Sequence, residues 1–571
     1  MRMRQIRTTV ILLVLIAGVI FCAFYFEKHP FLENAGRPTP TPEPQPSPTF
    51  RAFNPIRTVE VSPTATPSPT RDPDEETAQT EMADVVTRVY TAEEGIILTF
   101  NYSPENGELP YVLEALEKIN APAVFFVKGE DLAQFADDII SIIRAGHEIG
   151  ILMEKDSRLQ ADHLLEMVEE NEKLLRSYGY TDEVFVRTAY GTPTDTHRIV
   201  ASRGGYRLIS FLADLMPANV SRLTEPDQIM SVVFNTDNNV ALQRGEIVSF
   251  QMGLFQYSNT VLADYIQEIV AKKSVYPVKR LSSMLDNKEL QYTYPLKDEQ
   301  ILPEVLNAVH PGHLVGKDVM SELEKRYLGA DWVDRASFLP GFTQEEIIRL
   351  DRRGLVQNNE GYVFLTFDDW GPDETLTKLL KVLEKHGAKA TFFVRTNNIG
   401  YNPNLLRAIA MAGHTIASHT DSHFPLSHDT GNGRVFETLT DEEALDLQKD
   451  LMLSYEKLQR VVGDIEIDGK PALSLLFRPP TLAVSKIGLQ TVIDCGFHYS
   501  VSGSFSTEDY KATSEQSLYW SLMRNTKSGA VLVMHMSQNS IYTADAVDKL
   551  LTEMERRKSP LKFVSLSECL H

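Results

Sequence analysis

Three cysteines in 571 residues are too few for a disulfide-stapled scaffold. Basic residues are also in deficit, 56 Lys and Arg against 78 Asp and Glu, and the net charge of −22 argues against nucleic acid or an anionic membrane surface as a partner. Long apolar runs are almost absent. The exception is the uncharged stretch Thr8–Phe26, preceded by Arg2, Arg4 and Arg7. As a helix it would span about 28 Å, the thickness of a hydrocarbon core, so a single-pass anchor with its amino end in the cytoplasm is expected. A cleaved signal peptide is the competing reading. Cys22 lies in this run behind bulky Val19, Ile20 and Phe21, where a lipid-attachment site would need small residues.

What the chain does have is length for more than one core, and its punctuation divides it. We expect an anchor over 1–30, a Pro/Thr-rich spacer over 31–82, one domain over 83–287, an ordered connector over 288–360 and a second domain over 361–571. In the connector, helical patterning is read over Lys317–Tyr327 and Thr343–Leu355. In both domains short apolar runs alternate with helical stretches such as Leu376–Lys385 and Ala444–Arg460, which predicts an α/β fold of parallel strands covered by helices.

The chemistry concentrates in the second domain. Leu365–Thr366–Phe367–Asp368–Asp369 is an apolar run ending in two carboxylates, which an extended strand would aim in different directions. Some fifty residues later, His419 and His423 stand four apart, and a helical turn there would put both imidazoles on one face. Asp369, His419 and His423 then make three metal ligands, with positions left open for water, and Asp368 remains free to act as a base. An Asp-His-His set suits one divalent ion, zinc first, without excluding other transition metals.

These residues resemble the motifs of the polysaccharide deacetylases of carbohydrate esterase family four. Thr366–Asp369 matches the family's Thr-Phe-Asp-Asp, and His419–His423 matches His-[Ser/Thr]-x-x-His. The resemblance implies two tandem distorted (β/α) barrels of fewer than eight strands, a metal-dependent hydrolase, Asp368 as catalytic base, and Asp369, His419 and His423 as metal ligands. Arg478–Pro479–Pro480–Thr481–Leu482 resembles the third motif, so Arg478 is expected to orient Asp368, with Pro480 and Thr481 near the substrate. Val531–His535 resembles the fifth motif and makes His535 the general acid.

Several positions depart from the pattern. Trp370 stands where the family usually has Gly, and it is taken as a substrate contact; Thr481 replaces an aromatic of the substrate groove. In the fourth motif Asp509–Tyr510 fits the later pair, whereas Ser or Phe occupies the place of the earlier Asp that tunes the acid histidine. The segment Phe424–Asp441, with His428 and Gly431–Asn432–Gly433, is expected to form a loop over the site.

The first domain is a copy of the second. The differences 368 − 101, 392 − 125 and 413 − 146 all equal 267, linking Asn101 to Asp368, Phe125 to Phe392 and Gly146 to Gly413. Its chemistry is lost: Asn101, Tyr102, Leu152, Asp156 and Gln251 stand where the base, the three ligands and the acid would be, although Arg187 and Tyr190 are kept. Cys495 and Cys569 occur only in the second copy and permit either a disulfide or two separate thiols. The expected activity is removal of N- or O-linked acetyl groups from a cell-wall or extracellular polysaccharide, peptidoglycan first, by a membrane-anchored protein. The rival is a glycan-binding scaffold without catalysis.

Overall fold

Two sets of apolar runs become the inner strands of two parallel sheets. The computed structural model describes residues 81–154, 160–216, 220–234, 241–255, 257–330, 339–430 and 436–570, all within one compact unit, Gln79–His571. The expected anchor and the Pro/Thr-rich spacer lie outside the described residues. Among the described residues no helix is long and apolar enough to cross a membrane.

The first sheet consists of β1 (Val85–Val86), β2 (Ile97–Asn101), β3 (Ala123–Lys128), β4 (Glu148–Met153), β5 (Phe185–Thr188), β6 (Leu208–Ile209), β7 (Ala213–Asp214) and β8 (Ile247–Gln251). Its order is β1-β6-β5-β4-β3-β2-β8-β7, parallel throughout, and its two outer strands are not joined. The inner strands are mostly apolar and buried along nearly their whole length because both of their faces are covered. Helices such as Leu109–Lys118 and Ala161–Ser177 bury one apolar stripe against the sheet.

The second sheet begins in the connector, with β9 (Tyr327–Leu328). It continues with β10 (Tyr362–Asp369), β11 (Ala390–Val394) and β12 (Thr415–Ser418). Two small hairpins follow, β13 (His428–Asp429) with β14 (Phe436–Glu437) and β15 (Glu466–Ile467) with β16 (Lys470–Pro471). The sheet is completed by β17 (Leu473–Phe477), β18 (Tyr499–Val501), β19 (Phe505–Ser506), β20 (Val531–His535) and β21 (Lys562–Phe563), in the order β19-β20-β10-β11-β12-β17-β18-β9 with β21 beside β10.

The two sheets therefore hold eight and nine strands, more than the expected fewer than eight. The surplus is made of two-residue edge pieces, too short to leave a periodic signal in sequence. In the connector, Val319–Arg326 is a helix capped by Asp318, but the second expected helix covers only Gln344–Arg349. Beyond Leu350 the chain is drawn to the sheet edge instead, where Val356 N–H bonds the Gly529 carbonyl at 2.9 Å. Cys495 and Cys569 are free thiols.

The barrels are tied by fully used polar groups. Buried Asn404 donates its amide to the Val89 and Arg244 carbonyls at 2.8 and 2.7 Å. Its carbonyl oxygen accepts from Thr91 N–H at 3.1 Å and from the Tyr292 hydroxyl at 3.0 Å. A buried amide with all four of its bonds made is worth keeping and expensive to disturb.

Candidate active site

Strand β10 is central because Thr366 to Asp369 must reach one mouth between β11 and β20. Register pairs Asp368 with His535 on one side and with Phe393 on the other. Asp368 is 2% exposed, and Arg478 Nη1 donates to its Oδ1 at 2.8 Å and to Thr366 Oγ1 at the same distance. The guanidinium lies 4.2 Å from the centre of the Phe393 ring and donates from Nε to the Val501 carbonyl. Burial pushes the Asp368 carboxyl up to about 6, against the pull of Arg478 and His535. That is a base poised close to neutrality.

Asp369 leaves the strand with φ of 79°, a left-handed backbone that a non-glycine residue adopts only when its surroundings enforce it. Its Oδ1 lies 3.9 Å from His419 Nε2 and 3.8 Å from His423 Nε2, and the three donor atoms fall within 4.8 Å of one another. The two histidines do not meet through a helical turn, as the spacing suggested. Residues 419–423 form a bend with positive φ at Thr420 and His423, which folds the rings to a centroid distance of 5.1 Å. Asp450 holds the bend by accepting from the backbone N–H of Asp421 and Ser422.

The Arg478 carbonyl, an acceptor only, lies 2.9 Å from His419 Nδ1. The proton therefore sits on Nδ1, and Nε2 is left with its lone pair toward Asp369. Burial, reinforced by His423, drives the His419 pKa well below its ordinary value and keeps the ring neutral, the form that binds metals. The donor set, its protonation and its spacing fit a single divalent metal ion.

On the opposite side, His535 Nδ1 bonds Asp509 Oδ1 at 2.7 Å, while Asp509 Oδ2 accepts from His535 N–H and the Thr543 hydroxyl. Burial alone would lower the imidazolium pKa, but the Asp509 bond and the nearby carboxylates outweigh it and the pKa is raised. The sequence left His535 without a tuning carboxylate. Asp509 supplies it from the one-turn 3-10 helix Asp509–Lys511, reached through a left-handed residue, Glu508. The signal was present in Asp509–Tyr510, but only the fold turns that carboxylate onto His535, with Tyr510 edge-on at 4.8 Å.

The remaining expected contacts divide. Trp370 is half-buried and lines the mouth with Arg395 and Asn397, two residues the sequence did not flag. The loop it begins is pressed against β20: a Cβ on Gly371 would sit 1.6 Å from the Met536 carbonyl oxygen. Thr481 is exposed at φ 60°, whereas Pro480 is buried. His428 is drawn to Glu443 at 2.8 Å, near the start of the helix Asp441–Val462, and is not in the three-residue cluster. Gly431–Asn432–Gly433 lie outside the described residues.

In the first barrel the same register pairs Asn101 with Gln251. Tyr102 turns away from any ligand role, its hydroxyl donating to Asp138 at 2.6 Å, and Leu152 is buried. Asp156 lies outside the described residues. Arg187 is buried as Arg478 is, but it meets Asn101 Oδ1 only at 3.3 Å and, among the described residues, is paired with no carboxylate.

The family model described as polysaccharide deacetylase matches residues 88–209 and 356–500, one region in each barrel. A peptidoglycan-N-acetylglucosamine deacetylase of Bacillus cereus is 29% identical over 218 residues, which cover 38% of this chain and 91% of the relative. A probable peptidoglycan-N-acetylglucosamine deacetylase of Arthroderma benhamiae is 32% identical over 220 residues, 37% of this chain and 44% of the relative. Among solved structures, the Bc1960 peptidoglycan N-acetylglucosamine deacetylase is similar at 25% identity and a TM-score of 0.32, covering 38% of this chain and 91% of its own. The chain thus carries a region matched by the polysaccharide deacetylase family model in each of its two barrels.

Proposed function

We propose that the second barrel removes acetyl groups from a polysaccharide in a metal-dependent hydrolysis, with peptidoglycan as the first substrate to test. The observation that supports this reading is the pairing of Asp368 with His535 across adjacent strands, next to a cluster of three donor atoms. The relatives named as peptidoglycan deacetylases support the substrate.

In this reading Asp369, His419 and His423 hold one divalent ion, zinc or another transition metal, which when bound supplies Lewis acidity to the acetyl carbonyl and to the attacking water. Asp368 takes the proton from that water, and Arg478 fixes the carboxylate so that its free oxygen faces the reactant. As the carbonyl carbon becomes tetrahedral, a backbone N–H beside Pro480 is offered to the oxyanion. Proline has none, so the donor is Thr481. His535, held by Asp509, gives its proton to the departing amine or alkoxide while the bond to the acetyl carbon breaks. Trp370 and Thr481 border the substrate.

The first barrel is read as non-catalytic, having Tyr102 and Leu152 in place of ligands. Thr8–Phe26 is read as a membrane anchor that keeps both barrels outside the cytoplasm, close to the cell wall. Release of acetate from a panel of acetylated glycans by the full chain, with and without a chelator, tests the proposal. Chelator-sensitive release from peptidoglycan is expected, and release from none of the glycans would refute it.

A further inference from the structure

The loop after Asp369 is fastened by the other barrel. Asp373 is 7% exposed and accepts from the Tyr276 hydroxyl at 2.5 Å and from Arg244 N–H at 3.3 Å, both first-barrel groups, as well as from the Asn402 amide. Buried Arg88, paired with Glu246 at 2.7 Å, donates to the Tyr401 carbonyl at 2.6 Å. The two second-barrel segments Trp370–Asp373 and Ile399–Asn402 are thus both held from the first barrel.

Between those segments and the first barrel lies a cleft of about 700 Å³, within the range of ligand sites. Trp370, Asn398 and Tyr401 line it from the second barrel; Phe234, Lys273 and Ser274 line it from the first. A pocket of about 370 Å³ beside Asp369 shares Trp370, Gly371, Pro372 and Asn398 with this cleft, so the loop after Asp369 walls both spaces. Tyr401 is 62% exposed and its backbone is tied down by Arg88, which presents an aromatic ring to whatever enters.

We propose that this cleft binds the sugars that neighbour the acetylated one, a further stretch of the same glycan chain, and that the first barrel is kept as its second wall. A pyranose ring has an apolar C–H face and a rim of hydroxyl and amide groups. Aromatic side chains cover the first, and the amide and ammonium groups of Asn398 and Lys273 satisfy the second. Binding energy gathered there, away from the reacting bond, would favour long chains over short ones. The inference rests on the second barrel being a polysaccharide deacetylase.

The test compares kcat/KM of the full chain on a long acetylated glycan with that on a short oligosaccharide of the same sugars. Tyr401→Ala and Lys273→Ala alter exposed side chains on opposite walls. Each is expected to lower the long-to-short ratio by roughly three- to tenfold, the weight of one aromatic or polar contact. An unchanged ratio in both variants would overturn the proposal. If the wild type released no acetate, calorimetric binding of the same two glycans would separate the claims. Tighter binding of the long chain, abolished by both substitutions, would uphold the cleft without the catalysis; binding independent of length would overturn it.

Discussion

Asp509 accepts the Nδ1 proton of His535 at 2.7 Å and is itself 1% exposed, so a fully buried carboxylate stands behind the one imidazole that faces Asp368. Because this bond helps raise the His535 pKa, Asp509→Asn should bring it down and depopulate the protonated acid near neutral pH. Turnover is expected to fall by roughly one to two orders of magnitude, part of the full effect of a general acid, and the alkaline limb of the rate profile should move to lower pH. Rate profiles of the two proteins check this, and identical alkaline limbs would disconnect Asp509 from the acid.

The first barrel carries the complementary case. Arg187 is fully buried and its pKa is pulled down to about 9 by burial, with Asn101 where Asp368 would be. Returning a carboxylate by Asn101→Asp should give the guanidinium the counter-charge that Arg478 has, and raise the thermal midpoint by a few degrees. It should add no second active site, because Tyr102 and Leu152 cannot ligate. A lower midpoint would contradict the unpaired-cation account.

His147 and His414 occupy aligned positions and lean on aligned rings, Phe125 and Phe392, each at 5.4 Å. Burial lowers their pKa values to about 4 and about 3, helped by Arg280 and Lys389 respectively. Both folded values lie below the unfolded one, so the unfolded chain binds more protons between about pH 6.5 and pH 4. The stability they contribute is present above about pH 6.5 and is lost as the pH falls through that window. Denaturation midpoints across pH 4–8 should show that decline, and it should be shallower in His147→Phe and in His414→Phe. Equal slopes in all three proteins would show that these rings do not drive it.

These two histidines also mark how far the sequence could be read. The constant spacing between the copies, the strand end at Asp368–Asp369 and the pair His419 and His423 were legible because each is local or a fixed offset. The bend that joins His419 to His423 was not, since its two left-handed residues are imposed by Asp450 and the surrounding strands, not by local propensity. Asp509 was visible as a residue but not as the partner of His535, because β20 and the 3-10 turn meet only in three dimensions. The clamp on Asp373 was likewise invisible, as it depends on how the first barrel docks.

A count of metal follows from the ligands. The full chain should carry about one equivalent of a transition metal, and His419→Ala should empty it, since the first barrel has Tyr102 and Leu152 at the matching places. Elemental analysis of the two purified proteins checks this. Two equivalents in the wild type, or full retention in the variant, would place metal somewhere other than Asp369, His419 and His423.

Whether Asp368 acts on water beside that cluster is measured most directly by acetate release from acetylated peptidoglycan by Asp368→Asn. The substitution keeps an acceptor for Arg478 and leaves the three proposed ligands untouched, so metal content should be unchanged, while the thermal midpoint should fall by a few degrees for want of the buried counter-charge. Turnover should drop by roughly two to four orders of magnitude, the usual weight of a general base. Acetate release at the wild-type rate by a metal-loaded Asp368→Asn protein would contradict the assignment of the catalytic base, and the proposed mechanism with it.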